Sequence, residues 1–168
     1  ESVDILDRLG VPAFKVPSGE VVNLPLLQHI ARKGKPILLS TGMSYLGEVE
    51  TAIRAIHETG NDQCVVLHCT SNYPAAPRDV NLRAMKTMAQ AFGVPVGYSD
   101  HTMGIDVPLA AVALGACVIE KHFTLDRTMS GPDHRASLEL EELSALNRGI
   151  RTVEQSLGNG VKQPAESE

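Results

Sequence analysis

The sequence has few cysteines, and none of them is paired in the CxxC spacing. The three cysteines, Cys64, Cys69 and Cys117, lie in or near apolar runs. An odd number of cysteines in such positions predicts reduced thiols rather than a disulfide framework, which is typical of the cytosol. We therefore expect a cytoplasmic protein that folds without disulfide bonds.

Long apolar runs and an excess of positive charge are also missing. There is no signal peptide and no apolar run of membrane-spanning length, so we expect no membrane partner. The net charge is −5, which argues against a nucleic-acid partner. An anionic small molecule is still compatible with this charge, because a few lysines in a cleft are enough to bind one.

The composition is that of a single globular domain. The chain has 168 residues, of which 43% are hydrophobic and 21% are charged, and this is enough for one core. The first residues have the pattern of a helix end and no initiator methionine, so we expect a piece of a longer protein. We predict a domain over residues 1–157 and a linker over residues 158–168.

Five apolar runs alternate with amphipathic helical patterns along the chain. The runs predict β-strands at 11–16, 36–40, 64–70, 94–98 and 116–122. This alternation is typical of a parallel α/β sheet. Two architectures fit it: the last five βα units of an eight-stranded (β/α)8 TIM barrel, or a doubly wound sheet of five parallel strands.

The polar residues that follow the strands favour the barrel. Nearly all of them come directly after a strand end, and every strand contributes some. A barrel collects the ends of all its strands at one mouth, whereas an open sheet uses mainly those at its switch point. No GxGxxG or P-loop motif follows any strand, which weakens the nucleotide-binding sheet. We therefore predict a partial TIM barrel.

Two predicted strand ends carry a histidine with a polar residue two positions earlier. Ser99 precedes His101, and Glu120 precedes His122. Residues i and i+2 of a strand share a face, so neighbouring strands would bring these four side chains to one rim. Such a group can hold a divalent metal with open coordination positions. The spacing alone favours two hydrogen-bonded structural histidines, because no HxH or HExxH motif joins them.

Six segments rich in polar residues follow one another in a fixed order. They are FKVPSGE at 14–20, LSTGM at 39–43, HCTSNYP at 68–74, GYSDHT at 97–102, IEKHFT at 119–124 and GPDHRAS at 131–137. Together they resemble the N-acetylneuraminate (sialic acid) synthase family over nearly the whole chain. The resemblance implies a βα barrel that condenses phosphoenolpyruvate with an N-acetylated hexose such as N-acetylmannosamine. It also implies a divalent metal cofactor, typically manganese.

The resemblance further implies what surrounds this chain in the intact protein. The chain would supply the last five barrel strands, without the first three and without the family's C-terminal antifreeze-like domain. Residues 158–168 would lead towards that domain. Members of the family are homodimers in which this domain of one subunit caps the site of the other. We therefore expect the chain alone to be crippled or inactive.

The resemblance assigns the metal to two histidines. His101 and His122 would be its two protein ligands, leaving positions for water and substrate. Glu120 shares a face with His122 and can orient a water or accept a proton, and the alternative is that it pairs with a nearby lysine. These three are the predicted catalytic residues. His68 lies within a strand, so we predict a packed, hydrogen-bonded histidine rather than a third ligand.

Phosphoenolpyruvate carries a carboxylate and a phosphate, so its site needs cations and hydrogen-bond donors. Lys15, within an apolar strand, is the candidate cation, and Ser18 and Ser99 are candidate donors. The resemblance places a further donor in segment 68–74, which is Ser71 or Asn72.

The sugar is assigned by resemblance to Glu20, Tyr73 and Asp133, whose oxygen atoms can pair with hydroxyl or N-acetyl groups. The alternative for Asp133 is a turn residue that follows a proline. Arg127 and His134 can reach the same rim, although charged loop residues are usually only solvated.

Several functions remain open on the sequence alone. Segment 131–137 is similar to synthases of N-acetylneuraminate and legionaminate, and less similar to the pseudaminate branch, so legionaminate synthase is an alternative. The chain can also be a catalytically inactive fragment or binding module. A metal-dependent hydrolase on the same barrel is a third reading, and it would not require phosphoenolpyruvate. Two histidines suit manganese, iron, cobalt or zinc alike.

Overall fold

A computed structural model describes residues 1–168 and contains one sheet of five parallel strands. The strands are β1 Phe14–Val16, β2 Ile37–Ser40, β3 Cys64–Cys69, β4 Val96–Asp100 and β5 Ile119–Lys121. They are hydrogen-bonded in the order β1-β2-β3-β4-β5, and every neighbouring pair is parallel. A doubly wound sheet would reverse its strand order at a switch point. The sequential order is therefore that of consecutive barrel units, and the prediction of a partial TIM barrel is confirmed.

Helices follow the strands on one side of the sheet. They are α1 Ser2–Arg8, α2 Leu24–Ala31, α3 Leu46–His57, α4 Ala84–Phe92, α5 Asp106–Ala113 and α6 Leu140–Leu157, with short 3-10 turns at Ser18–Glu20, Pro77–Asp79 and His134–Ala136. Asn23 caps α2, since its side-chain oxygen accepts a hydrogen bond from the Leu26 amide at 3.3 Å. None of these helices combines the length and the apolar character that crossing a bilayer requires.

The two faces of the sheet have different partners. One face packs against the helices and forms the core, with fully or nearly fully buried residues Phe14, Val16, Ile37, Leu39, Val66, Val96 and Tyr98. The other, concave face carries the alternate residues of the same strands, among them Lys15, Leu38, Val65, Ser99 and Glu120. Leu38 and Val65 are only partly buried. The concave face is thus the one that a complete barrel would enclose.

The register of the last two strands places the histidines side by side. Asp100 ends β4 and pairs with Lys121, which ends β5. His101 and His122 each follow directly, so they leave adjacent strands at the same level. The strands themselves differ from prediction, since β4 runs to Asp100 rather than ending at 98, and β5 is only three residues long. β5 has a neighbour on one side only, which limits its ladder.

All three cysteines are free, as predicted. Cys64 and Cys69 are buried, and burial raises the pKa of the Cys64 thiol to about 11. Cys117 is exposed, although it lies within an apolar run of the sequence. It lies just before β5, where the short edge strand leaves the preceding turn uncovered.

Candidate active site

A cavity of about 540 Å³ opens on the concave face at the carboxyl ends of the strands. Its walls contain eight of the ten predicted site residues: Lys15, Ser18, Ser71, Tyr73, Ser99, His101, Glu120 and His122. Residues from the ends of all five strands contribute, as expected at a barrel mouth. The structure therefore brings these eight side chains to one cavity.

His101 is buried and held in a defined orientation. Its Nδ1 lies 2.8 Å from the carbonyl oxygen of Thr70. A carbonyl only accepts hydrogen bonds, so Nδ1 carries a proton, and in the neutral form of the ring the lone pair is on Nε2. Burial alone would lower the pKa of His101, but hydrogen bonds to Cys69 and Thr70 outweigh it and raise the pKa above its ordinary value.

His122 faces His101 across the cavity. The ring centroids are 5.4 Å apart, and the ring planes are inclined at 64°. The Nδ1 of His122 lies 3.9 Å from a carboxylate oxygen of Asp133, which is too long for a direct hydrogen bond. No group of three or more His, Cys, Asp or Glu side chains with metal-binding geometry occurs in the chain. A metal held by these two imidazoles would therefore need water or substrate as its other ligands.

Tyr73 packs against both imidazoles. Its ring centroid is 4.0 Å from that of His101 and 5.4 Å from that of His122. Burial, together with the negative charges of nearby groups, raises the pKa of Tyr73 above its ordinary value. The phenol is therefore protonated at neutral pH and can donate a hydrogen bond at the cavity wall.

Lys15 and Glu120 form an ion pair inside the cavity. The lysine Nζ lies 3.3 Å from the carboxylate Oε2 of Glu120. That oxygen makes no hydrogen bond, although it is shielded from solvent. Glu120 therefore pairs with a lysine, and its side chain also lines the cavity. The β1 position directs Lys15 to the concave face, where it lines the cavity.

Hydroxyl groups cluster beside this ion pair. The Oγ of Ser18 lines the cavity and accepts a hydrogen bond from the amide of Gly42 at 2.9 Å. Ser99 is 3% exposed and also lines the cavity. Ser71 lines it too, whereas Asn72 does not.

Ser40 is a cavity residue that sequence reasoning missed. It ends β2, is 2% exposed, and its buried Oγ has no hydrogen-bond partner. A buried hydroxyl without a partner is costly unless a ligand satisfies it. The signal was present in the sequence, because Ser40 ends an apolar strand in the same way that Ser99 nearly ends β4.

Two predicted sugar residues do not line the cavity. Glu20 lies two positions after Ser18 in a 3-10 turn, where successive residues rotate by about 120°, so the two side chains diverge. One of its carboxylate oxygens instead accepts a hydrogen bond from the side-chain amide of Asn23 at 2.7 Å. Asp133 is half-exposed and stands at the rim near His122.

The remaining charged candidates have structural partners. Arg127 forms an ion pair with Glu142, and its Nε donates to the Ser137 carbonyl at 3.0 Å. The Nδ1 of His134 lies 2.7 Å from the hydroxyl of Thr124. Both residues hold the loop after β5 and do not line the cavity.

His68 behaves as predicted for a packed histidine. Its Nε2 lies 2.6 Å from the carbonyl oxygen of Val80 and donates to it. Burial lowers the pKa of the ring below its ordinary value. The side chain lies outside the cavity of the two histidines and faces a second cavity of about 580 Å³ beside it. That second cavity is slightly larger, but none of the ten predicted site residues lines it.

Comparison with known proteins places this architecture in a family. A family model described as the NeuB family matches residues 1–162. The N,N'-diacetyllegionaminic acid synthase of Campylobacter jejuni is 55% identical over 170 residues, which cover 100% of this chain and 51% of that protein. The human N-acetylneuraminate-9-phosphate synthase is 45% identical over 163 residues, covering 96% of this chain and 45% of that protein.

Solved structures agree with the fold. A sialic acid synthetase of Leptospira borgpetersenii, crystallised in complex with citrate, superposes with a TM-score of 0.92 at 38% identity, covering 98% of this chain and 57% of that one. A truncated 3-deoxy-D-arabino-heptulosonate 7-phosphate synthase of Thermotoga maritima has a TM-score of 0.79 at 20% identity, which shows the shared fold alone. The chain spans about half the length of the curated relatives it matches. With a family model covering almost all of it, the chain belongs to the NeuB family.

Proposed function

We propose that the protein containing this chain condenses phosphoenolpyruvate with N-acetylmannosamine or a related N-acetylated hexose. The products are N-acetylneuraminate or a related nonulosonate, and phosphate. The observation that supports this best is one cavity lined by eight predicted site residues, with the His101 and His122 rings 5.4 Å apart. Membership of the NeuB family supports a synthase, and the activity is proposed for the longer protein because the chain spans half of its relatives.

One part of the cavity offers the ammonium group and the hydroxyls that an anion such as phosphoenolpyruvate requires. Its phosphate and carboxylate are proposed to bind Lys15 and the hydroxyls of Ser18, Ser71 and Ser99. Ser40 adds a buried hydroxyl that has no other partner. A hydrogen bond to a charged group contributes about 1.5–3 kcal/mol, so several such donors offset the desolvation of an anion.

We propose that His101 and His122 hold Mn²⁺ or another divalent metal. When bound, such an ion supplies Lewis-acid polarisation of the sugar aldehyde oxygen. The protein's own contribution is to orient the rings, since the Nδ1 of His101 donates to Thr70 and leaves Nε2 free. Tyr73 packs on both rings and limits their rotation.

The proposed reaction forms one carbon–carbon bond and releases one phosphate. The C3 carbon of phosphoenolpyruvate attacks the aldehyde carbon of the open-chain sugar, water adds at C2, and the tetrahedral intermediate expels phosphate. Glu120, whose side chain lines the cavity, is proposed to orient that water or accept its proton. Lys15 and the serines hold the departing phosphate. Tyr73, with Asp133 at the rim, is proposed to contact the sugar.

Legionaminate synthesis is a second candidate. Two N,N'-diacetyllegionaminic acid synthases are 55% and 54% identical to this chain, against 45% for the human neuraminate-9-phosphate synthase. This ranking favours a hexose with two acetamido groups over N-acetylmannosamine. The two proposals differ only in the acceptor sugar, and phosphoenolpyruvate is the donor in both.

The test is phosphate release by the intact protein with phosphoenolpyruvate, Mn²⁺ and each sugar in turn. We expect release to require both substrates, and the preferred sugar to identify the product. His101→Ala and His122→Ala should each abolish Mn²⁺ binding and reduce kcat/KM by more than about a hundredfold. His29→Gln is the matched control, because His29 pairs with Asp4 at 3.0 Å, away from the cavity.

Other outcomes would refute the synthase. Hydrolysis without any need for phosphoenolpyruvate would indicate the metal-dependent hydrolase. A folded intact protein that binds neither Mn²⁺ nor phosphoenolpyruvate would indicate a binding module. We also propose that the intact protein is a cytoplasmic homodimer, which light scattering of the purified protein would test for the oligomeric state.

A further inference from the structure

A buried ion pair joins the last residues of β4 and β5. The Nζ of Lys121 lies 2.6 Å from the carboxylate of Asp100, and the two side chains are 3% and 0% exposed. They lie on the sheet face opposite the cavity, because alternate residues of a strand point to opposite faces. Neither side chain lines the cavity, so neither has a part in the proposed chemistry described so far.

The carboxylate of Asp100 is fully hydrogen-bonded. One oxygen accepts from the Tyr98 hydroxyl at 3.0 Å, the Thr102 amide at 2.9 Å and the Thr102 hydroxyl at 2.8 Å. The other accepts from Lys121, whose Nζ also donates to the Thr102 carbonyl at 2.6 Å. The amide, carbonyl and hydroxyl of Thr102 are therefore all tied to one ion pair.

These bonds surround the two histidines. His101 lies between Asp100 and Thr102 in the chain. The hydrogen bonds of the network therefore hold the residue before it and the residue after it. His122 follows Lys121 directly, and Lys121 pairs in register with Asp100. The network thus fixes the backbone from which each imidazole projects into the cavity on the other face.

Stability alone does not account for this arrangement. Removing a carboxylate and an ammonium from water carries a large desolvation cost, and an apolar pair of similar volume is often as stable. An apolar pair would fill the same space but would leave the amide and carbonyl of Thr102 without partners. Unlike an apolar pair, the ion pair therefore joins the residues on either side of His101 to Lys121 at the end of β5.

We infer that Asp100 and Lys121 are positioning residues that set the separation of the His101 and His122 rings. The inference rests on the proposed function, in which those rings hold a divalent metal. Neither residue touches substrate or metal. Both act through the adjacent histidine, one on each of two neighbouring strands.

The test uses D100N/K121M in the intact protein. The asparagine side-chain oxygen can still accept from Tyr98 and Thr102, and the methionine leaves no unpaired buried charge, so the variant should fold. Its crystal structure should show the imidazole rings displaced from their 5.4 Å separation. Mn²⁺ should bind about 10–100-fold more weakly by calorimetry, as expected when groups behind metal ligands are removed. KM for phosphoenolpyruvate should change little, since neither residue lines the donor site.

Two further variants keep the test decisive. T102V removes one hydroxyl bond to Asp100 without touching a charge, and should displace the rings in the same direction if the double variant fails to fold. I56A truncates a fully buried residue of α3 outside the network, and should bind Mn²⁺ like the wild type despite lower stability. This control separates positioning from general destabilisation.

The inference is overturned if folded D100N/K121M keeps both the ring separation and the Mn²⁺ affinity of the wild type. An equal loss of Mn²⁺ affinity in I56A would overturn it as well. Failure of the wild type to bind Mn²⁺ would instead refute the proposed metal site. The ring separation in the variant crystal structure would still decide whether the pair positions the histidines.

Discussion

The aromatic ring of Tyr73 lies over the imidazole of His101, with 4.0 Å between the centroids and an interplanar angle of 35°. The same ring meets His122 nearly edge-on. One side chain from the loop after β3 thus packs against the two histidines that follow β4 and β5. Because its pKa is raised, the phenol stays protonated and can donate to a ligand.

This packing separates two roles of Tyr73. Tyr73→Phe keeps the ring and removes only the hydroxyl, so we expect a higher KM for the sugar and unchanged Mn²⁺ affinity. Tyr73→Ala also removes the ring, so the imidazoles gain freedom and Mn²⁺ affinity should fall as well. Steady-state kinetics and Mn²⁺ calorimetry on both variants check this. Equal Mn²⁺ affinity in wild type and Tyr73→Ala would show that the ring does not hold the histidines.

Gly42 is packed against the hydroxyls proposed to bind the donor. A Cβ at this position would lie 2.2 Å from the Oγ of Ser71 and 2.9 Å from the Oγ of Ser18. Gly42→Ala must therefore push both hydroxyls aside, and we expect KM for phosphoenolpyruvate to rise at least about tenfold, the equivalent of roughly 1.4 kcal/mol.

Gly47→Ala is the control for Gly42→Ala. Gly47 lies in the first turn of α3, and nothing is within 4 Å of its Cβ position. Alanine is the better helix former by about 1 kcal/mol, so this variant should be as active as wild type and slightly more stable. If both alanine variants have the same KM, the hydroxyls of Ser18 and Ser71 are not donor contacts.

Strand periodicity in the sequence was enough to predict which side chains lie together at the ends of β4 and β5. Alternation along β4 and β5 places Ser99 with His101 and Glu120 with His122, and parallel neighbours then bring the two pairs together. The position of Glu20 depended instead on a 3-10 turn, whose rotation no periodic pattern announces. The structural use of Arg127 was equally hidden, because its partner Glu142 is on a different element and the pairing follows from the fold.

An ion pair between Asp4 and Lys33 makes the free energy of unfolding depend on pH. A carboxylate oxygen of Asp4 in α1 lies 2.7 Å from the Nζ of Lys33, just after α2. The hydrogen bond from Lys33 holds the pKa of Asp4 well below its ordinary value of 3.8. A depressed carboxyl pKa contributes stability above the unfolded-state pKa, and this contribution is lost as the pH falls.

Asp4→Asn should therefore lower the free energy of unfolding at neutral pH and weaken its decline below about pH 4. Urea unfolding at a series of pH values measures both effects. Asp62→Asn, at an exposed aspartate, is the control and should follow the wild-type curve. Parallel curves for Asp4→Asn and wild type would mean that the Asp4–Lys33 contact does not persist in solution.

Arg127 locks the loop between β5 and α6. Its guanidinium pairs with Glu142 and donates to the carbonyl of Ser137 at 3.0 Å, while its amide donates to Glu139 at 3.0 Å. The planar guanidinium makes these contacts in a fixed geometry that a lysine cannot reproduce. Asp133, the proposed sugar contact at the rim, lies within the loop that these bonds hold.

Arg127→Ala should accordingly loosen residues 124–138, with faster proteolytic cleavage in this loop and a higher KM for the sugar. KM for phosphoenolpyruvate should stay within about twofold of the wild-type value, because the donor residues lie on other strands. Arg151→Ala is the control. It removes an exposed ion pair between Arg151 and Glu154 within α6, and such pairs contribute little to the free energy of unfolding. Limited proteolysis of both variants, followed by mass spectrometry of the fragments, compares them directly. If the two are cleaved at the same rate as wild type, the loop is held by its turns and not by Arg127.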